Sequence, residues 1–225
     1  MGKKLTDVLI ATGKGAVSLF PGGSFLAEYI SLAQDHVADK RMNEWKAMVE
    51  DVLAKLPRSI EDLAQDEAFY SYIQVATMGA MRAFQKEKRD LFANALYSAA
   101  NKVDLTDDKK LFYLSLLNDY TLSHIVLLKH FSQNHFDPDD DVVKGSMVTV
   151  YKNIGATEKP MKGIIECIPE FSDDTAFVKH LTERLVSDSL VQLIDFEMPV
   201  SKENARAKKT TKYGDEFLSF IENYT

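Results

Sequence analysis

Apolar residues recur at intervals of three and four over most of this chain, the spacing that lines them up along one face of a helix. Leu5, Val8, Leu9 and Thr12 predict a first helix that fades at Gly13 and Gly15. Pro21-Gly22-Gly23-Ser24 then breaks the chain, and Ser24 offers a cap for the next helix. From Phe25 to about Leu56 the residues Leu26, Tyr29, Ile30, Ala33, Val37, Trp45, Met48, Val49, Val52 and Leu56 keep the helical period, and Pro57 ends it. Ser59 with Asp62 three residues on approximates a capping box. A long helical stretch is expected to follow this cap, with Phe69, Tyr72, Ile73, Ala76, Ala80, Met81 and Phe84 forming one face. Lys86-Glu-Lys-Arg-Asp90 reads as a solvated patch, and Leu91, Phe92, Ala95, Leu96 and Ala99 resume the apolar stripe. Thr106 is the next cap, opening a helix through Leu111, Leu114, Leu117, Thr121, His124, Leu128 and Phe131. Long periodic helices with short connections predict a bundle.

Between His135 and Asp141 the pattern gives way to Phe-Asp-Pro-Asp-Asp-Asp, a surface loop and a boundary between subdomains. Residues 142–170 are weakly patterned: Val142 to Val150 suits strand or helix, and Ile154-Gly155 and Lys159-Pro160 read as loop. Phe177 to Leu190 is an amphipathic helix and Leu190 to Asp195 a short strand. A polar, basic loop runs from Ser201 to Lys209, and Thr210 to Ile221 supplies a further strand and a closing helix. Helix, strand, basic loop, strand and helix is the order of a winged helix. The expected fold is therefore mainly α, with an N-terminal helical bundle at 1–136 and a C-terminal winged-helix-like α+β subdomain at 142–225.

The bulk numbers narrow what such a fold does. With 225 residues, 45% hydrophobic and 27% charged, the chain is large enough for a stable core without staples and is not disordered by composition. Its net charge of −7 gives no overall attraction to nucleic acid or anionic membrane, so any such binding needs a local patch. Cys167 is the single cysteine, which excludes an intramolecular disulfide and any multi-cysteine zinc site, and a buried, small apolar role is expected for it. Lys3 and Lys4 precede an apolar stretch that Lys14 interrupts. The uncharged run from Gly15 to Ala27 has 13 residues, short of the ~20 that cross a bilayer as a helix. The expectation is a cytoplasmic protein, peripheral at most to the inner membrane, with no cleaved signal and no constitutive span.

Several candidate chemistries fail on spacing. Thr12-Gly-Lys-Gly-Ala lacks the glycine and the following Ser or Thr of a phosphate loop, since Val8 and Gly15 stand there. Gly22-Gly23 lacks the preceding strand of a dinucleotide fingerprint. His124, His130 and His135 lie six and five residues apart, which does not suit two ligands on one helical face. Asp137, Asp139, Asp140 and Asp141 lack the glycine and distal glutamate of a calcium loop. No nucleophile elbow is present. Neither enzymatic activity, a metal, a cofactor nor a small-molecule substrate is expected.

Two segments retain a functional reading. Phe20, Pro21, Gly22, Gly23, Phe25 and Leu26, with Ala16, Val17 and Leu19, are either core or a hinged apolar hairpin that enters a membrane interface on activation. Lys202, Arg206, Lys208, Lys209 and Lys212 place five positive charges against Glu203 within eleven residues. Such a wing can lie along a phosphate backbone or reach into a minor groove, or it is simply a solvated hairpin tip kept soluble by its lysines. The helix that would enter the major groove is less suited: between Asp173 and Asp188 four acids oppose Lys179 and Arg184, a net of −2.

The run Phe69-Tyr-Ser-Tyr-Ile-Gln-Val-Ala-Thr77 followed by Lys86-Glu-Lys-Arg-Asp-Leu-Phe-Ala-Asn-Ala-Leu96 resembles a pattern in bacterial helical proteins of the abortive-infection alpha group. In those a helix with a Leu-Ala-Asn-Ala-Leu-like centre precedes a region resembling a winged helix, and Phe20-Pro-Gly-Gly23 is similar to their N-terminal apolar segments. The resemblance implies a bacterial or phage-related source and a role in phage defence, and it carries over no catalytic residue. The leading expectation is a non-enzymatic interaction or effector protein that binds a protein partner or itself. The alternative is a DNA-binding regulator whose contacts are Lys179, Arg184, Lys202, Arg206, Lys208, Lys209 and Lys212.

Overall fold

Ser59 caps a helix as its spacing predicts, its hydroxyl accepting the Asp62 N–H at 3.0 Å, but that helix is five residues long and the expected long stretch starts anew at Asp66. Capping of this kind sets most helix starts in the computed structural model, which describes residues 36–101, 104–135 and 157–222. Among these residues the fold is mainly helical with one small two-stranded sheet. They divide into two units, one of residues 36–119 with 219–222 and one of residues 120–218.

The first unit contains α1 (His36–Lys55), α2 (Ile60–Ala64), α3 (Glu67–Arg82), α4 (Lys86–Asn101) and α5 (Asp107–Asp119). Helix α1 ends just before Pro57, where the ring would forbid another helical hydrogen bond. Asp66 caps α3 by accepting the Phe69 N–H at 3.0 Å. Helix α3 packs against α1, α4 and α5, and Trp45, Phe69, Phe92, Tyr113, Leu114 and Leu117 are fully buried. A Cβ at Gly79 would collide with the ring of Phe92, so this glycine is what lets α3 and α4 approach. The Trp45 indole N–H donates to Thr77 Oγ1 at 3.0 Å, satisfying the one polar atom of a side chain with no exposed surface. The Phe220 ring lies 5.3 Å from that of Tyr113.

Two expectations for this unit are corrected. Phe84 is not on the buried face of α3: the backbone turns extended at Ala83, and the Phe84 side chain is 71% exposed. Nor is the 86–90 cluster uniformly solvated. Arg89 is buried, donating to the carbonyls of Ala83 and Phe84 at 3.0 and 3.1 Å and to Glu44 at 2.6 Å, so it holds the α3–α4 turn against α1.

The second unit contains α6 (Leu122–Phe131), β1 (Thr157–Glu158), α7 (Pro160–Cys167), a 3-10 turn (Pro169–Phe171), α8 (Thr175–Ser187), β2 (Val200–Ser201), α9 (Lys202–Arg206) and most of α10 (Lys212–Glu222). The single helix expected from Thr106 to Phe131 is two, because Thr121 takes an extended conformation and starts α6 anew. Helix α6 packs on α8 over a core of Ile125, Leu127, Leu128, Val178, Leu181, Leu185 and Phe217. Lys159 and Pro160, read as loop, open α7 as its cap and first residue, where proline's missing N–H costs nothing.

Strands are shorter than the pattern suggests. Thr157 pairs with Ser201 and Glu158 with Val200, antiparallel, while the expected strand from Leu190 reduces to one bridge between Val191 and Thr210. Asp195 stops it by accepting the N–H groups of Glu197 and Met198 at 2.9 and 3.2 Å, which folds the chain into a turn. The basic loop is partly helical for a similar reason: Ser201 accepts the Asn204 N–H at 3.2 Å and nucleates α9.

Candidate functional site

The seven candidate cations all lie in the second unit, and most of them face acids of the same unit. Arg206, at the end of α9, donates through Nε to the buried carboxylate of Glu158 at 2.8 Å and through Nη2 at 3.3 Å, a two-pronged pairing, and also to Glu166 of α7. The hydrogen bond to Glu158 comes first among the causes that raise the guanidinium's pKa, so its charge is fixed. Lys208 reaches Asp215 at 2.6 Å, and Thr210 donates to the other oxygen of the same carboxylate at 2.6 Å. Burial works to raise the Asp215 carboxyl, but these two donors outweigh it and hold the group below its ordinary value.

On α8 the arrangement repeats. Lys179 pairs with Glu197, which Lys159 also reaches at 3.2 Å, and the two lysines hold the Glu197 carboxyl below its usual range. Arg184 meets Asp188 at 2.7 Å, and the Tyr120 hydroxyl donates to the same Asp188 oxygen at 2.7 Å. Lys209 donates to Asn204 at 2.7 Å, and burial lowers its pKa. Lys202 sits half-buried on α9, and Lys212 is exposed at the start of α10.

The same unit exposes apolar side chains. Leu193 is 87% exposed, Met198 64% and Phe177 40%, and the first two flank the Asp195 turn in the chain. The apolar segment Phe20, Pro21, Gly22, Gly23, Phe25 and Leu26 lies outside the described residues, as does the acidic run 137–141. Among the described residues no single helix is long and apolar enough to cross a membrane.

One constellation escapes the spacing argument. His130, in the last turn of α6, and His135, four residues past its end, stack with ring centroids 4.2 Å apart and planes 12° off parallel. Cys167, the last residue of α7, brings its sulfur to the pair, and one ligand atom from each of the three lies within 4.8 Å of the others. The spacing rule assumes both histidines stay on a helix. Here the chain leaves helical geometry after Phe131, and the His135 N–H donates to the Arg206 carbonyl at 2.9 Å, fixing the ring beside His130. Burial, with His135 adding to it, lowers His130 to about 4, so that ring is neutral near pH 7. Cys167 is exposed, not the buried apolar filler expected of it, because α7 stops at its position on the solvent side. His124 stands apart from this cluster and caps a helix instead. Its Nδ1 accepts the Thr121 N–H at 3.1 Å at the start of α6, and its ring stacks on Tyr120.

Compared with known proteins, the chain matches no protein-family model, no curated protein and no solved structure.

Proposed function

We propose that this protein is a non-enzymatic interaction or effector protein whose second unit is a winged-helix-like platform for protein contacts. The element order supports the winged-helix reading: α6, β1, α7 and α8 precede an antiparallel bridge that brackets residues 191–210, and α10 closes the unit. The pairing of the basic residues with acids carries the choice of partner. Phosphate binding draws its affinity from cations that displace counterions, and Lys179, Arg184, Arg206 and Lys208 already face carboxylates. Leu193, Met198 and Phe177 offer the apolar surface that a protein partner or a second copy would cover.

Fluorescence anisotropy with duplex DNA at low ionic strength discriminates the readings. The expected result is no binding, while sedimentation velocity finds association that Leu193→Asp with Met198→Asp removes. DNA affinity that falls steeply with salt and disappears in Lys208→Glu with Lys209→Glu would instead establish the regulator. The setting in phage defence rests on the resemblance of residues 69–77 and 86–96. It is read out by plaque counts on cells with and without the gene. The membrane role of Phe20 and Phe25 is read out by liposome flotation of wild type against Phe20→Ser with Phe25→Ser.

A further inference from the structure

We propose that His130, His135 and Cys167 form a binding site for one divalent transition-metal ion of the zinc type, with the fourth coordination position taken by water. The donor set is the first argument. Two imidazoles and a thiolate are the borderline and soft ligands that zinc, cobalt and copper prefer over magnesium or calcium, and three protein ligands with one open position is a recurrent zinc arrangement.

Distance is the second argument. In a tetrahedral zinc site the ligand atoms stand roughly 3.3–3.6 Å from one another, as metal–nitrogen and metal–sulfur bond lengths require. The three here already lie within 4.8 Å without an ion, so the remaining contraction is about 1 Å. Cys167, exposed at a helix end, has rotamer freedom to supply it.

The surroundings also suit a cation. His135 Nε2 lies 3.0 Å from the His130 backbone carbonyl; donating a proton there leaves Nδ1 as the lone-pair nitrogen, the way metal-bound histidines are commonly oriented. His130 is in the last turn of α6 and Cys167 ends α7, so the cluster lies at the negative ends of two helix dipoles. Arg206, whose backbone carbonyl accepts the His135 N–H, has its charge matched by Glu158 and Glu166. On binding, the sulfur–metal bond forms as the thiol proton leaves to solvent, with no change of oxidation state. The ion would tie the end of α6 to the end of α7, two segments that are 32 residues apart between His135 and Cys167.

Cobalt titration of the full-length, tag-free protein tests this, after chelator treatment and with a phosphine reductant. The expected result is one equivalent bound with a thiolate-to-cobalt charge-transfer band, visible absorption of tetrahedral intensity, and displacement of both by zinc. Because Cys167 is the chain's one sulfhydryl, the band reports on that sulfur alone. Cys167→Ser abolishes the band. His130→Asn and His135→Asn each weaken binding by about tenfold or more, and His180→Asn leaves it unchanged. Zinc raises the thermal midpoint of wild type and not of Cys167→Ser, with far-ultraviolet circular dichroism verifying that the serine variant is folded. Absence of the band in wild type, its survival in folded Cys167→Ser, or wild-type affinity in both histidine variants would overturn the site.

Discussion

The two units reach order by different means. In the first, the residues with no exposed surface are apolar or aromatic, Trp45, Phe69, Phe92 and Tyr113 among them, and most ion pairs are local, such as Lys40–Glu44, Asp51–Lys55 and Lys86–Asp90 one helical turn apart. Exposed pairs of that kind are worth at most about 0.5 kcal/mol each. In the second unit, one-turn pairs such as Lys162–Glu166 and Arg184–Asp188 are joined by pairs between segments remote in sequence, Arg206 to Glu158 and Glu166 and Lys159 and Lys179 to Glu197, and Lys208 reaches Asp215 seven residues on. Its strands are two residues long and cannot hold these segments by backbone pairing alone. The stretch from Leu190 to Thr210, which has little regular structure, thus uses charge to define where it lies, and that use leaves fewer cations for a ligand.

The contrast is sharpest under core truncation. Phe92→Ala removes the ring that fills the gap over Gly79, and a loss of about 3–5 kcal/mol is expected from urea unfolding followed by circular dichroism. A loss under 1 kcal/mol would mean that the first unit does not depend on its aromatic interior.

For the second unit the corresponding test is Arg206→Met, which strands the Glu158 carboxylate in a place where its side chain is 3% exposed. Because Arg206 itself is partly solvated, the expected loss is about 2–3 kcal/mol, below that of a fully buried pair. Glu158→Leu with Arg206→Met should recover most of it. If the single substitution is silent, long-range charge does not order this unit.

The smallest effect belongs to a single cap. Asp66→Ala should lower stability by about 1 kcal/mol. Burial works to raise the Asp66 carboxyl, but the Phe69 N–H and Arg58 outweigh it and hold the group below its ordinary value. A depressed carboxyl stabilises the fold above its unfolded pKa and loses that contribution as pH falls through the folded one. The difference between wild type and Asp66→Ala is therefore full at pH 7 and shrinks below roughly pH 4. A difference that is constant down to pH 2 would remove the carboxylate from the account.

Sequence legibility divides along the same line. Helices held by apolar stripes and a local cap are readable from residues a few positions apart, which is why Ser59, Pro57 and the Leu91–Ala99 stripe are informative. Phe84 and Arg89 are not, because a turn at Ala83 reassigns both faces. In the second unit the decisive partners are tens of residues apart, and spacing rules do not reach from Arg206 to Glu158 or from His135 to Cys167. The pattern does locate the basic segment. It gives no indication that acids elsewhere in the chain already occupy it.

Gly214 adds a different kind of information. A Cβ at this position would collide with the carbonyl of Leu190, the same oxygen that accepts the Thr211 N–H at 3.0 Å, and Gly214 itself donates to the Thr211 hydroxyl at 3.0 Å. Any other L-residue there has to push the chain at 190 away from the start of α10. Thr-x-x-Gly at a helix start, some two dozen positions after a leucine, is therefore a pairing that steric necessity imposes on this packing, and it ties the identity of one residue to the path of a chain segment far from it in sequence.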